Sequence, residues 1–330
     1  MLNNARIAFD EMVLGGETIT VAVTSPPNRC WLTSLTAALG PMAREETHRA
    51  LTGLPLLGAL ALSGLVELIG KILRIDAAVY PEHRLLSTSL YDGKLPVLFD
   101  HISDLQTRYP DKALILRSLT DAPAVGVLWP LRLVWIIDDV QRDWAPRRDV
   151  HRDQTILAQS GLVATAHGGE IDDAILERCL ELYRGLYIDA YSAFNPDYTA
   201  GYIRQLLRDG RLEIHTLAGE GGIAAFCAAH CDRETMTLPM LGYDRDRPQD
   251  DGLYRAVMAH MGGLALARGL KLNLSAGAPH FKRHRGATPW MEYLLIIDHH
   301  LPAWRRLGYR LIAWILRRLE PHLRQIAQEA

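Results

Sequence analysis

Three alternating apolar runs, at 212–217, 223–229 and 236–242, follow one another with little between them. Successive side chains of a strand point to opposite faces, so runs of this kind read as strands of a sheet. The first two are joined through "GEGG" at 219–222, a turn signal that makes them a hairpin. A sheet this apolar must be covered, and the flanking segments supply the cover. Helical spacing is present at 172–193 and 198–207 before the strands, and at 252–268 after them, where Gly269 suits a helix C-terminus. A short strand at 271–274, a basic segment, and a last strand at 290–297 complete the series. This order predicts a mixed α/β domain with helices crossing between neighbouring strands.

The first half carries a weaker version of the same order. A strand at 18–24 is followed by Pro26 and Pro27, which lead into a helical stretch at 31–39. An apolar helix at 56–73, a strand-like run at 84–90, an amphipathic helix at 97–108 and strands at 112–119 and 131–138 come next. The polar, basic "WAPRRDVHR" at 144–152 fits the entry to a helix joining the halves. With 330 residues, two domains are expected, 1–160 and 161–330. No sequence repeat is visible, so duplication rests on pattern alone.

A net charge of −2 argues against a whole-surface nucleic-acid binder, so any polyanion contact has to be local. The four cysteines form no CxxC pair, and the N-terminus shows early charges instead of a secretory apolar region. A cytoplasmic protein is expected, with peripheral membrane contact as a further expectation. Cys227 and Cys231 flank His230 in a strand and read as buried thiols, not metal ligands. The uncharged stretch at 51–66 falls short of the roughly 20 residues of a bilayer span, so a buried or interface-lying helix is expected. In the run 304–324, Leu307, Leu311, Trp314 and Ile315 recur at helical spacing opposite Arg305, Arg306, Arg310, Arg317 and Arg318. Such a helix packs on its own domain, or touches an anionic membrane or another polyanionic partner.

Four segments carry a family likeness. They are "LGYD" at 241–244, "LNLSAG" at 272–277, "FKRHRG" at 281–286 and "RRDVHRD" at 147–153. In this order the second half resembles the GNAT-type acyltransferases of the Fem peptidyltransferase group, which have two tandem GNAT-like domains. The resemblance covers about 120 residues and implies a degenerate first domain before a catalytic second one. One segment departs from ordinary GNAT enzymes, which hold the coenzyme A pyrophosphate on a Gly-rich turn at the start of the helix after the fourth strand. Here that position reads "RDRPQDDGLYRA" at 245–256, with one glycine and carboxylates that repel phosphate. Fem-type transferases also lack the turn and take an aminoacyl group from charged tRNA. The resemblance therefore implies an N-acyl or aminoacyl transferase with no permanent cofactor. Its donor co-substrate would be aminoacyl-tRNA, acyl-CoA or a carrier-bound ester, and its acceptor an amine or peptide.

By the same resemblance Lys282 supports the oxyanion of the transfer, and Phe281 walls it from water. A fixed donor in that role supplies about 3 kcal/mol. Arg283 and Arg285 offer paired donors to phosphate or carboxylate, with Arg152 as a further basic contact. Asp244, past a strand end, and Glu292, in the last strand, are the candidate bases. Asn273 and Ser275 share a strand face, and Tyr243 ends the preceding strand, so these three are expected at the substrate. His280 and His284 stand four apart but lack a carboxylate partner in the motif, and no metal is expected. A different reading, without catalysis, is a GNAT-like scaffold that binds anionic lipid or a partner through the C-terminal helix.

Overall fold

A computed structural model describes residues 1–25, 28–121, 123 and 125–329, so Pro26 and Pro27 lie outside the described residues. Among the described residues, eleven strands form one sheet. They are β1 (Ile7–Leu14), β2 (Glu17–Thr24), β3 (Ala78–Pro81), β4 (Ala113–Leu119), β5 (Val127–Ile137), β6 (Val163–His167), β7 (Glu213–Gly219), β8 (Gly222–Cys231), β9 (Thr235–Tyr243), β10 (Lys271–Asn273) and β11 (Thr288–Ile297).

The spatial order is β1-β2-β3-β4-β11-β5-β10-β9-β8-β7-β6. β3 and β4 are parallel, as are β9 and β10, and every other neighbouring pair is antiparallel. Counted outward from the β11/β5 contact, both sides give an antiparallel step, then a parallel one, then antiparallel steps. The weak echo between the halves of the sequence is thus a real structural echo, and the fold is a mixed α/β architecture built on one large sheet. Each half also lends a strand to the other: β11 is inserted between β4 and β5, and β5 between β11 and β10.

Parallel neighbours need a crossover connection. In the first half the helices Leu95–Asp100 and Ile102–Arg108 provide it, and in the second half the helix Leu253–Arg268. β10 pairs with β9 only through Lys271↔Thr235, Leu272↔Met236 and Asn273↔Thr237. β9 then continues to Tyr243 while β10 ends at Asn273, so the sheet splays open there.

Four expectations change. The run 84–90 is not a strand; the strand precedes it as β3, and positive φ at Glu82, Leu85 and Asp92 breaks up extended pairing beyond it. The helix expected at 97–108 is interrupted at His101. That expected at 172–193 is α-helical over Asp173–Arg184 and then widens to a π-turn, Gly185–Asp189. Of the apolar helix Gly53–Ile72, only Ser63, Val66 and Gly70 are buried.

Gly286 links the short helix Pro279–His284 to β11 with φ 87, and a Cβ there would overlap the backbone carbonyl of Asp143. Neither the conformation nor the space admits a side chain. Gly286→Ala is expected to cost about 2 kcal/mol or more, read as a lower urea midpoint at an unchanged slope.

Candidate functional site

The short helix Pro279–His284 begins where β9 and β10 part, with Pro279 in its first turn after the left-handed Ala278. That start turns Lys282 inward, where it is 3% exposed. Its Nζ donates to the carbonyls of Leu274 (2.6 Å), Ser275 (3.1 Å) and Ala276 (2.7 Å). Burial, with the positive Arg132 nearby, pushes the ammonium down to about 7, while the three carbonyls favour its charged form. An ammonium has three donors, and all three are taken. Lys282 therefore clamps the chain leaving β10 and brings a positive charge to the splay, rather than offering the free N–H that the resemblance implied.

Beside it lies an ion pair across the central ladder. Arg132 on β5 stands opposite Glu292 on β11, and its Nε and Nη2 donate to the two carboxylate oxygens at 3.0 Å each. Nη2 also donates to the Ser87 carbonyl (2.6 Å), and Nη1 reaches Ser275 Oγ (3.4 Å). Glu292 is 1% exposed. Its expected role as a free base gives way to an ion pair, because both oxygens are engaged. Arg132 and Arg117 of β4 each lie 5.1 Å from the Trp31 ring centroid. Sequence reasoning missed both arginines. The signal was available, since "ALILRSL" and "PLRLVW" each set one arginine inside an otherwise apolar strand.

Arg285 is not available to a substrate. It makes a bidentate pair with the buried Asp153, its Nη1 donates to the Phe281 carbonyl (2.9 Å), and its guanidinium stacks 3.5 Å from the Phe281 ring centroid. Arg255 also donates to Asp153 (2.6 Å). The expected ligand contact is instead an internal pair that fastens the joining helix, Arg148–Gln159, to the basic segment. Asp244, the other candidate base, accepts from Arg178 (2.9 Å) and from the Asp246 N–H (3.0 Å), away from Lys282's carbonyl cage. Arg152 is exposed and paired with Asp149 (3.2 Å) on its own helix.

Of the other expected residues, Asn273, Ser275, Tyr243 and Phe281 lie on the segments that border the splay. Asn273 Oδ1 accepts from the Ser275 N–H (2.8 Å) and holds the turn after β10. Phe281, Tyr254 and Tyr243 form a half-buried aromatic row, with centroids 4.8 and 6.3 Å apart. Arg283 is half-buried, 5.8 Å from the Trp135 centroid. The His280 and His284 rings lie 4.3 Å apart, tilted by 38°, and His284 Nδ1 lies 3.3 Å from Asp149. Along the joining helix and the residue before it, Arg147, Arg148, His151 and Arg152 are exposed, so positive surface adjoins the Lys282 segment.

At the amino end of the Leu253–Arg268 helix, Gly252 is covered by Ile156, whose Cγ2 would lie 3.1 Å from an added Cβ. Asp251 just before it is paired with Arg247 (2.8 Å). A shallow surface hollow lined by Glu177, Leu180, Glu181, Arg184, Asp189 and Ala200 shares no residue with the splay.

Residues 146–283 match the family model described as acetyltransferase (GNAT) domain. Among solved structures, the chain is similar to L-PGS from Bacillus licheniformis (14% identity, TM-score 0.48, 72% of this chain and 82% of that one). It is also similar to the C-terminal domain of a putative lysylphosphatidylglycerol synthetase from Agrobacterium fabrum (12%, 0.47, 67% and 77%). A third likeness is to a tandem GNAT protein from the clavulanic acid biosynthesis pathway (11%, 0.38, 88% and 84%). No curated protein sequence matches the chain.

Lys282 has an ordinary value of 10.5, against about 7 in the folded chain. Between these limits the unfolded state binds more protons, so stability rises with pH and reaches its full value only above the unfolded pKa. From pH 7 to 9 the wild type is expected to gain stability relative to Lys282→Met, by up to about 1 kcal/mol per pH unit. Parallel unfolding-versus-pH curves for the two proteins would remove this assignment.

Proposed function

With residues 146–283 matching a GNAT acetyltransferase domain, we propose that the chain moves an activated acyl or aminoacyl group to an amine-type acceptor at the splay between β9 and β10. The observation that carries this reading is Lys282: a buried cation fixed where the sheet opens, beside a half-buried aromatic row. In the transfer, the acceptor nitrogen attacks the ester carbonyl carbon and a C–N bond forms. The carbonyl oxygen takes the negative charge, and the bond to the leaving oxygen or sulfur then breaks with its electron pair. The amine proton passes to solvent or a base. The field of Lys282 opposes the cost of the oxyanion, and Asn273 and Ser275 hold the turn that carries its carbonyl cage.

A pyrophosphate in the usual GNAT position would meet Ile156 and the carboxylates of Asp250 and Asp251. The exposed Arg147, Arg148, His151 and Arg152 favour a polyanionic donor instead, of which charged tRNA is the proposed case. Product formation should then be abolished by ribonuclease and indifferent to added coenzyme A; the reverse pattern assigns acyl-CoA. Lys282→Ala is expected to lower turnover about a hundredfold or more while the circular dichroism stays native. Wild-type rates in that variant would end the catalytic reading.

A second reading, peripheral membrane contact, has its own observation. In the helix Ala303–Glu329 the buried face is Gly308, Tyr309, Ile312 and Ala313, with Arg305 spent on the carbonyls of Asp111, Arg74 and Ala77. The stripe Trp304, Leu307, Leu311 and Trp314 is bare, with Leu307 66% and Trp314 54% exposed, so it does not pack on the domain. Arg310, Arg317 and Arg318 are exposed around it, an arrangement suited to an anionic bilayer surface. Gly308 packs on Leu73, next to the Gly53–Ile72 helix. That helix is long and apolar enough to cross a membrane, but Ser63 Oγ donates to the Leu39 and Gly40 carbonyls and pins one side to the protein. Its other side is exposed, Leu54 to 82%. The proposed site is the cytoplasmic face of a membrane. The full chain should float with phosphatidylglycerol vesicles and less with neutral ones, and Leu307→Glu with Leu311→Glu should abolish flotation. A wild type that never floats removes this reading.

A further inference from the structure

Arg117, in the centre of the sheet, is as buried as Glu292 at 1% exposure, and none of its Nε, Nη1 and Nη2 has a hydrogen-bond partner among the described residues. A guanidinium carries five donors. Leaving them all unmet in the interior is expensive, and native interiors pair such groups. Glu292 is nearby but is already engaged through both oxygens by Arg132. Counting Arg117, Arg132 and Glu292 together, one positive charge is left over. Tyr80, Tyr91 and Cys30 are further acidic groups close to Arg117, and none supplies an anion at neutral pH, because burial raises all three.

The loop after β3 carries more unmet polar groups, and its His83 lies close enough to feel the Arg117 charge. His83 Nε2, Ser87 Oγ and Thr88 Oγ1 are buried without partners among the described residues. His83 Nδ1 lies 2.9 Å from Ser89 Oγ, and with that hydroxyl donating, Nε2 becomes the N–H. The Ser89 N–H donates to Ser118 Oγ (3.0 Å), which ties the loop to the strand next to Arg117. A fork of guanidinium donors, an imidazole N–H and two hydroxyls around one excess positive charge is the donor set that recognises an oxyanion.

We infer that Arg117, with His83, Ser87 and Thr88, is a receptor for a singly charged oxyanion group, a carboxylate or a phosphodiester. Arg84, Ser87 and Leu90 of the loop are half-buried, so this side of the site keeps some contact with solvent. The site is distinct from the Lys282 splay but linked to it, since Arg132 touches Ser87 on one side and Ser275 on the other.

The test is calorimetric titration of the full chain with acetate and with dimethyl phosphate, both monoanions, at constant ionic strength kept with chloride. At least one is expected to bind the wild type. Arg117→Met should weaken that binding about tenfold or more, and Ser87→Ala by about threefold. Should Arg117→Met not fold, Arg117→Lys keeps the charge, loses the fork, and is expected to bind several-fold more weakly. A response to acetate alone assigns a carboxylate, and one to dimethyl phosphate alone a phosphodiester. The inference is overturned if neither probe binds the wild type, or if binding is the same in the Arg117 and Ser87 variants. Binding is read without acyl transfer, so this failure and a failure at Lys282 are separable.

Discussion

β5 and β11 pair from Thr288↔Ile136 to Ile296↔Val127, and each has its other neighbour in the opposite half of the chain. Neither half can complete its sheet without a strand from the other. The consequence is topological as well as energetic. Side chains from β4, β5, β11 and the turn after β10 are brought to one place, although more than 150 residues separate Arg117 from Ser275 and Lys282. The Arg132–Glu292 pair and the reach of Arg132 to Ser275 depend on this exchange.

The exchange also explains why charges are tolerated there. Arg132 and Glu292 meet because the ladder sets them opposite each other. Arg285 and Asp153 meet because the joining helix lies against the segment that leads into β11. Lys282 is satisfied by carbonyls released where β10 stops pairing. Buried ion pairs of this kind contribute little net stability, whereas breaking one typically costs about 3–5 kcal/mol. Positioning around an opening in the sheet accounts for them better than stability does.

Much of the second half was legible. Alternation and helical spacing mark strands close to β7, β8, β9 and β11, and the helix ending at Gly269, because tertiary packing there agrees with local preference. The first half was harder. The residues 84–90 alternate like a strand, but three left-handed residues around them turn the segment into a buried loop. β6 is an exposed edge strand and has no apolar face to reveal it. Lys282 could be picked out as a cation at the end of a buried strand. Arg117 and Arg132 could have been found by asking why a guanidinium stands inside an apolar run.

The sequence by itself determined most element types of the second half, β6 and the π-turn excepted, together with the basic segment after β10 and the acidic character of residues 245–256. Those follow from local pattern and charge. Only the tertiary structure decided which charges are free and which are spent. Arg285 looks like a ligand until Asp153, 132 residues earlier, is seen to hold it. The apolar stripe of the last helix looks like core until Gly308 and Tyr309 are seen to take that place. A hydrogen bond or a buried face belongs to two partners, and a linear sequence names only one of them at a time.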